Sequence, residues 1–251
     1  MVRTAPAIAL VAALSASAPA LSAQTFNTDY SVTLLGIPIA TASFKSTIDN
    51  DRFRIDGSLA SSGVARLFDQ TNGTTSVAGG LSQTGTIPAS YDLDYVSDKK
   101  RQRTAMRFSN GTVTSTENVP PSRPRQGDWV HLQSEHLRSV VDPISSTLIR
   151  AGSAGEVCNR TIRLYDGEMR ANLVLSPARS TRQGTIACSA RFEPVAGYRP
   201  SRSALRYLRD RSRIAIAFAP LGDTGFYAPV DASIGTQIGT VRIVAQNIRQ
   251  Q

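Results

Sequence analysis

Side chains able to do chemistry are scarce in this chain, which has two histidines and two cysteines among its 251 residues. His131 and His136 are five residues apart, so on a helix they would not share a face as metal ligands four residues apart do. Asp92 and Asp94 belong to an alternating, strand-like segment and are expected on its solvated face. The run Gly152-Ser153-Ala154-Gly155 is one residue short of the GxSxG elbow of serine hydrolases. We therefore predict no catalytic, cofactor-binding or metal-binding residue, and no cofactor.

A hydrolase acting on an envelope polymer is the alternative from another class of function. It requires two close carboxylates, or a histidine beside a carboxylate, because such cleavage needs a proton donor and a proton acceptor. The chain has 19 Asp and Glu residues, and their order along the sequence singles out no pair. The sequence leans towards a protein that is not an enzyme.

The two cysteines, Cys158 and Cys188, are the residues with the clearest predicted chemistry. Their spacing is not the CxxC of a redox motif, and two histidines make a structural zinc site a poor alternative. Alternation places each cysteine on the apolar side of its predicted strand, where a bridge between neighbouring strands would lie. An even count in an oxidising compartment predicts one disulfide; two separate buried thiols are the alternative.

The first 23 residues have the order of a cleavable signal peptide. Arg3 supplies a positive start, residues 8–14 form a short apolar stretch, and small residues precede Ala23. We expect cleavage between Ala23 and Gln24. The apolar stretch is too short to span a bilayer, and no later stretch is suited to it. The sequence predicts export to the periplasm and no transmembrane span.

The excess of basic residues predicts anionic partners. The formal net charge is +9, and nearly all of the basic residues are arginines. A lipid or another anionic component of the envelope would be attracted to such a surface; a bias in arginine usage that only aids solubility is the alternative. The arginines are scattered, and an exported protein does not meet nucleic acid, so no nucleic-acid partner is expected.

Alternating apolar and polar residues predict that strands position these side chains. The alternation is clear at residues 30–34, 53–59, 91–95, 214–218 and 239–245, and a period of two is typical of a sheet with one buried face. Asn110-Gly111 predicts a type I′ hairpin. Asp166-Gly167 predicts a second hairpin, with Tyr165 opposite Glu168. Residues 201–211 fit either a short basic helix or a loop.

One short helix is predicted from Asp142 to Ala151. Asp142 can accept hydrogen bonds from the free amides of a first helical turn, and Pro143 loses no hydrogen bond there. Gly152 is a plausible end. We expect this helix to cover or plug the open end of the sheet.

Several motifs together resemble the bacterial family called domain of unknown function 3108. These are Tyr30 to Ala40, with Gly36 before the second strand; Val141-Asp142-Pro143-Ile144-Ser145; Cys158 to Ile162 with Tyr165-Asp166-Gly167; Cys188 to Phe192 with Ala196-Gly197-Tyr198; and Gly235 to Thr240. The resemblance spans nearly all of the chain beyond residue 23. It implies an exported, mostly antiparallel β protein, similar to curved half-barrels that shelter hydrophobic ligands, and it carries no catalytic residues.

The sequence thus predicts a mainly β fold: a curved antiparallel sheet, open barrel or spiral, with one short covering helix. Residues 24–251 form a single β-rich periplasmic domain. A curved sheet with one apolar face is a natural place for a cavity. The expected function is non-enzymatic maintenance of the cell envelope, through a hydrophobic, lipid-like ligand or an envelope protein partner.

Overall fold

The computed structural model describes residues 23–67, 70–98, 100–122, 126–180 and 182–251. The predicted signal peptide lies outside the described residues except for Ala23, and the first strand begins at Gln24. The strands are β1 (Gln24–Leu34), β2 (Ile37–Asp49), β3 (Arg52–Ser61), β4 (Asn72–Leu81), β5 (Thr86–Ser97), β6 (Lys100–Ser109), β7 (Thr112–Val119), β8 (Ile149–Arg150), β9 (Arg160–Tyr165), β10 (Arg170–Pro177), β11 (Ile186–Ala196), β12 (Ile214–Pro220), β13 (Phe226–Thr236) and β14 (Gly239–Gln250).

These strands form one 14-stranded sheet in which neighbours run antiparallel. Its order is β7-β6-β5-β4-β3-β2-β1-β14-β13-β12-β11-β10-β9, and β8 pairs with β13. The two outermost strands, β7 and β9, are not paired with each other in this path. The predicted fold class, a mainly β chain with a curved antiparallel sheet that does not close, is confirmed.

A short segment, Val140-Val141, crosses the gap between the two sheet edges; we call it the strap. The amide of Val141 donates to Arg163 O at 2.9 Å, and the amide of Tyr165 donates to Val141 O at 3.0 Å. Beside it, the buried Val140 donates its amide to Gly111 O in the β6–β7 turn at 3.0 Å. The strap therefore supplies backbone partners to β9 on one side and to the β6–β7 turn on the other.

The two ends of the curved, open sheet, which we call the half-barrel, differ. One end lies around the turns that follow β2, β4 and β6. There, buried residues of the strands pack against Val140 and against Leu148 of the segment 142–148. We call this segment the plug and this end the plugged end. At the open end, the β1–β2 and β13–β14 turns project, and inward-facing side chains such as Leu59 are exposed. The hydrophobic core thus fills one half of the sheet's concave side.

The α-helices described are α1 (Ala154–Cys158) and α2 (Ser203–Asp210), and neither is the predicted helix from Asp142 to Ala151. There, residues 145–147 make one 3-10 turn, and Ile149–Arg150 is strand β8. The hydroxyls of Ser146 and Thr147 bond to the carbonyls three residues earlier. Such competing bonds and the pairing of β8 with β13 explain why the helix is absent. The segment nonetheless plugs the sheet.

The two predicted hairpin turns had different outcomes. Asn110 and Gly111 have φ of 49° and 72°, so the type I′ turn is confirmed. The register predicted at Asp166-Gly167 is wrong, because Tyr165 pairs with Arg170 and the loop has four residues. The carboxylate of Asp166 accepts the amides of Glu168 and Met169, which holds the wider loop.

The predicted disulfide between Cys158 and Cys188 is present. Both residues are buried in a cluster with Val157, Leu175 and Phe218. The expectation that it joins neighbouring strands is wrong, since Cys158 is the last residue of α1 and Cys188 lies in β11. The bond fastens α1 to the sheet at the plugged end.

Candidate ligand-binding cavity

A cavity of about 340 Å³ lies on the concave side of the sheet, between the core of the plugged end and the open end. Its walls are mostly aliphatic and aromatic side chains from strands on both sides of β1, together with residues of the plug. The lining residues are Thr28, Tyr30, Val32, Ala42, Phe44, Ser46, Ile55, Leu59, Ile144, Ser146, Thr147, Leu148, Ile162, Leu173, Ile216, Phe218, Leu221, Ala228, Pro229, Asp231, Ala232 and Ile243. The volume falls in the range typical of small-molecule sites.

Small residues at inward positions create this space. Ala42 lies opposite Tyr30 on the neighbouring strand, and Ala232 lies between Ile216 and Ile243. Larger residues at these two positions would fill the concave side, as phenylalanine and tyrosine do nearer the plug. Thr28 and Val32 line the cavity four residues apart on β1, so it runs roughly 13 Å along the strand.

The most prominent polar group in the wall, the Tyr30 hydroxyl, is already bonded. It donates to Pro229 O at 2.8 Å, a carbonyl outside the β13–β14 ladder, which runs from Asp231 to Thr236. Burial raises the pKa of Tyr30 to about 12. The Phe44 ring meets the Tyr30 ring edge-on, with 5.9 Å between centroids. Tyr30 therefore stays neutral and presents its ring to the cavity.

Other polar side chains of the wall are also bonded within the protein. Ser146 Oγ donates to Pro143 O and Thr147 Oγ1 donates to Ile144 O, each at 2.7 Å. The Asp231 carboxylate pairs with Arg242 at 2.6 Å. Because these groups have partners, a ligand can bury apolar surface against them without leaving them unsatisfied.

The plug that forms the cavity floor contains a buried carboxyl group, Asp142. Its Oδ1 accepts the amides of Ile144 and Ser145 at 2.9 and 2.8 Å, and Oδ2 has no hydrogen-bond partner among the described residues. Burial raises the pKa of Asp142 to about 6, although hydrogen bonds to the amides partly oppose the rise. Asp142 and Pro143 were predicted to cap a helix; they instead precede a 3-10 turn at residues 145–147.

Replacing Asp142 by Asn should change how stability depends on pH. With a pKa of about 6 when folded and an ordinary value of 3.8, the carboxyl binds its proton more tightly in the folded state. Its contribution to stability is present below about pH 4 and is lost as pH rises to about 6. Asp142→Asn keeps an oxygen for the two amides and cannot ionise. Its free energy of unfolding, relative to wild type, should therefore rise by roughly 2 kcal/mol between pH 4 and pH 7.

Urea unfolding of both proteins across this pH range measures that difference. The contributions of groups that titrate in both proteins cancel in this difference. Asp142→Ala, which loses both amide hydrogen bonds, should instead be less stable than Asp142→Asn at every pH, by about 1 kcal/mol. If stability depended on pH in the same way for wild type and Asp142→Asn, burial would not be raising the pKa of Asp142 in the folded protein.

The histidines and carboxylates considered as possible catalytic residues are not brought together. His136 Nδ1 accepts the amide of Gln133 in a 3-10 turn at residues 134–137, and His131 is exposed. Asp92 and Asp94 lie on the outer face and pair with Arg107 and Arg101 at 3.1 and 3.3 Å. Among the residues that the structure describes, no group of three His, Cys, Asp or Glu is placed to hold a metal ion.

Sequence reasoning missed the residues that make the cavity. The signal for them is the presence of Ala42, Ala228 and Ala232 at inward positions of long alternating strands. Periodicity alone identifies which face of a strand is apolar. It does not show how much of the space in front of that face is filled by side chains from other strands. The described part of the chain has no helix that is both long and apolar enough to cross a membrane.

Comparison with known proteins gives a family match and two structural likenesses. A family model described as "Protein of unknown function (DUF3108)" matches residues 29–246. None of the curated proteins matches the chain. The fold of this chain is similar to that of a β-barrel-like protein of domain of unknown function DUF1849 from Brucella abortus. The two sequences are 8% identical, the TM-score is 0.46, and the match covers 90% of this chain and 98% of that one. A hypothetical protein from Chlamydia trachomatis is similar with 13% identity, a TM-score of 0.36, and coverage of 89% and 87%.

Proposed function

We propose that this chain, which belongs to the DUF3108 family of proteins of unknown function, is a non-enzymatic periplasmic protein of cell-envelope maintenance that holds a hydrophobic, lipid-like ligand. The observation that carries the proposal is the cavity of about 340 Å³, whose polar wall groups Tyr30, Ser146 and Thr147 are bonded within the protein. An apolar ligand gains about 25 cal/mol for each Å² that it buries in such a site.

The volume of the cavity favours part of a lipid over a whole one. A run of roughly 13 Å along the strand accommodates one acyl chain or a compact apolar molecule. The polar part of such a ligand would remain at the open end, where Leu59 is exposed. This arrangement suits a protein that shelters the apolar portion of an envelope lipid from water.

Two features support the periplasmic location. Residues 1–23 have the order of a signal peptide, with cleavage expected between Ala23 and Gln24. The disulfide between Cys158 and Cys188 is of a kind that persists in oxidising compartments and is rare in the bacterial cytoplasm.

Filling the cavity should strongly weaken ligand uptake while the fold is retained. Ala232→Phe projects a ring into the cavity from the middle of β13. We expect the affinity for an apolar fluorescent probe such as 1-N-phenylnaphthylamine to fall at least about tenfold, because the space for the probe is lost. Fluorescence titration of the purified proteins measures it.

The matched control is Ala215→Phe on the neighbouring strand β12. Ala215 pairs with Ser233, one residue from Ala232, and is exposed on the outer face. Ala215→Phe introduces the same ring on the outer face, outside the cavity, so the affinity for the probe should equal that of the wild type. Equal binding by both variants would mean that the probe binds elsewhere and would refute the assignment of the cavity.

A further inference from the structure

The β1–β2 turn at the open end places a large apolar residue in a backbone conformation that disfavours it. Leu35 has φ of 52° and Gly36 has φ of 81°, the left-handed pair that a type I′ turn requires. The β6–β7 turn has nearly the same geometry and uses Asn110-Gly111, the pair that this turn favours. Leucine is disfavoured in this region, and the side chain of Leu35 is 67% exposed, so burial does not offset the cost.

Two further apolar side chains are exposed beside Leu35. Ile37 is 51% exposed, and Ile238, in the β13–β14 turn, is 72% exposed. The two turns are joined, because the Leu35 amide donates to Thr240 O at 3.0 Å. The Leu35 side chain lies over Gly239, where an added Cβ would be 2.5 Å from Leu35 Cδ2. We call Leu35, Ile37 and Ile238 the tip patch.

Basic residues flank the tip patch. Helix α2 and the loop after it carry exposed arginines at 202, 206, 209, 211 and 213, and the only acidic residue between them is Asp210. This loop is held against β13 next to the turn, since Gly235 donates its amide to Arg213 O at 3.0 Å and Ser212 Oγ donates to Gly235 O at 2.7 Å. No Asp or Glu occurs in residues 30–48 or 232–251.

We propose that the open end docks on a lipid membrane that carries anionic headgroups, with the tip patch in the interface and the arginines of α2 and its loop on the headgroups. Exposed apolar residues beside arginines are the combination by which proteins bind at such an interface. The strained backbone at Leu35 is maintained for a side chain that is 67% exposed, which points to a partner outside the chain.

This docking places the mouth of the cavity on the membrane. Val32 and Ile243 line the cavity and face each other across β1 and β14, and Leu35 lies three residues beyond Val32. A ligand could then pass between bilayer and cavity without crossing water. That last role rests on the proposed function, whereas the docking itself depends only on the tip patch and the arginines.

Co-sedimentation with vesicles of phosphatidylcholine, with and without phosphatidylglycerol, tests the proposal. Wild-type protein should sediment with the anionic vesicles, and added salt should weaken the binding. Arg206→Gln with Arg213→Gln should weaken it about 25-fold, since each basic residue at an anionic surface contributes about fivefold. Leu35→Asn with Ile238→Ser should weaken it at least about tenfold, because the buried apolar area is lost.

The variant with Leu35→Asn and Ile238→Ser should not lose stability, since Leu35→Asn creates the Asn-Gly pair that the turn favours. A urea unfolding curve measures this. Controls at the plugged end are Ile87→Ser and the pair Arg179→Gln with Arg182→Gln, all exposed; these should bind vesicles as the wild type does. Failure of the wild type to sediment with anionic vesicles, or full binding by both test variants, would overturn the proposal. Probe uptake by a wild type that does not sediment would refute docking alone, whereas vesicle binding without probe uptake would refute the proposed function alone.

Discussion

Replacing Cys158 and Cys188 together by Ala should lower the free energy of unfolding by about 3–4 kcal/mol. The two residues are 30 apart in sequence, and closing a loop of that length restricts the unfolded chain by about this amount in the chain-entropy account. Both side chains are buried with Val157 and Phe218, so alanine also removes packing without adding a polar group. The loss is large for a single domain, whose whole stability is about 5–15 kcal/mol.

Urea unfolding with and without reductant measures this effect and supplies its own control. Reductant should destabilise the wild type by a similar amount and leave the double variant unchanged. A wild type that unfolds at the same urea concentration with and without reductant would contradict a stabilising role for the bond.

Gly197→Ala should destabilise the protein by about 2–4 kcal/mol. Gly197 has φ of +77° and donates its amide to Val130 O at 2.7 Å. A Cβ there would lie 2.0 Å from Glu168 O and 3.0 Å from Met169 Cα, both backbone atoms of the β9–β10 loop. Neither atom can rotate away, so the loop must shift, which adds about 1–3 kcal/mol to the cost of the left-handed conformation.

Gly184→Ala is the matched control for that substitution. Gly184 has nearly the same φ, +75°, and nothing lies within 4 Å of an added Cβ. It should cost only the conformational part, about 1 kcal/mol. Chemical denaturation of both variants gives the difference, and equal costs would mean that the close approach to the β9–β10 loop does not matter.

Local sequence patterns predicted the strands and one turn well because their physical causes are local. Alternation from Tyr30 to Leu34 reflects the inward face of β1, from which Tyr30 and Val32 line the cavity. Asn110-Gly111 defines its turn because both residues tolerate positive φ. The disulfide was also predictable, since two cysteines on apolar faces of a chain that is predicted to be exported have few alternatives.

The errors arose where distant parts of the chain decide the local structure. Asp142-Pro143 is a good helix start, but the following residues pair as β8 with β13. The Asp166 side chain holds a four-residue loop where a two-residue turn was expected. The cavity depends on Ala42 lying opposite Tyr30 and on Ala232 lying between Ile216 and Ile243, and no window of sequence contains these pairings.

The most direct test of the central claim, that the curved sheet holds a hydrophobic ligand, is native mass spectrometry of protein purified from the cell envelope without detergent. We predict that the wild type and Ala215→Phe carry a noncovalent apolar adduct that is released on denaturation, and that Ala232→Phe does not. Wild-type protein that is free of adduct and takes up no lipid on incubation with phospholipid or fatty acid would contradict the claim.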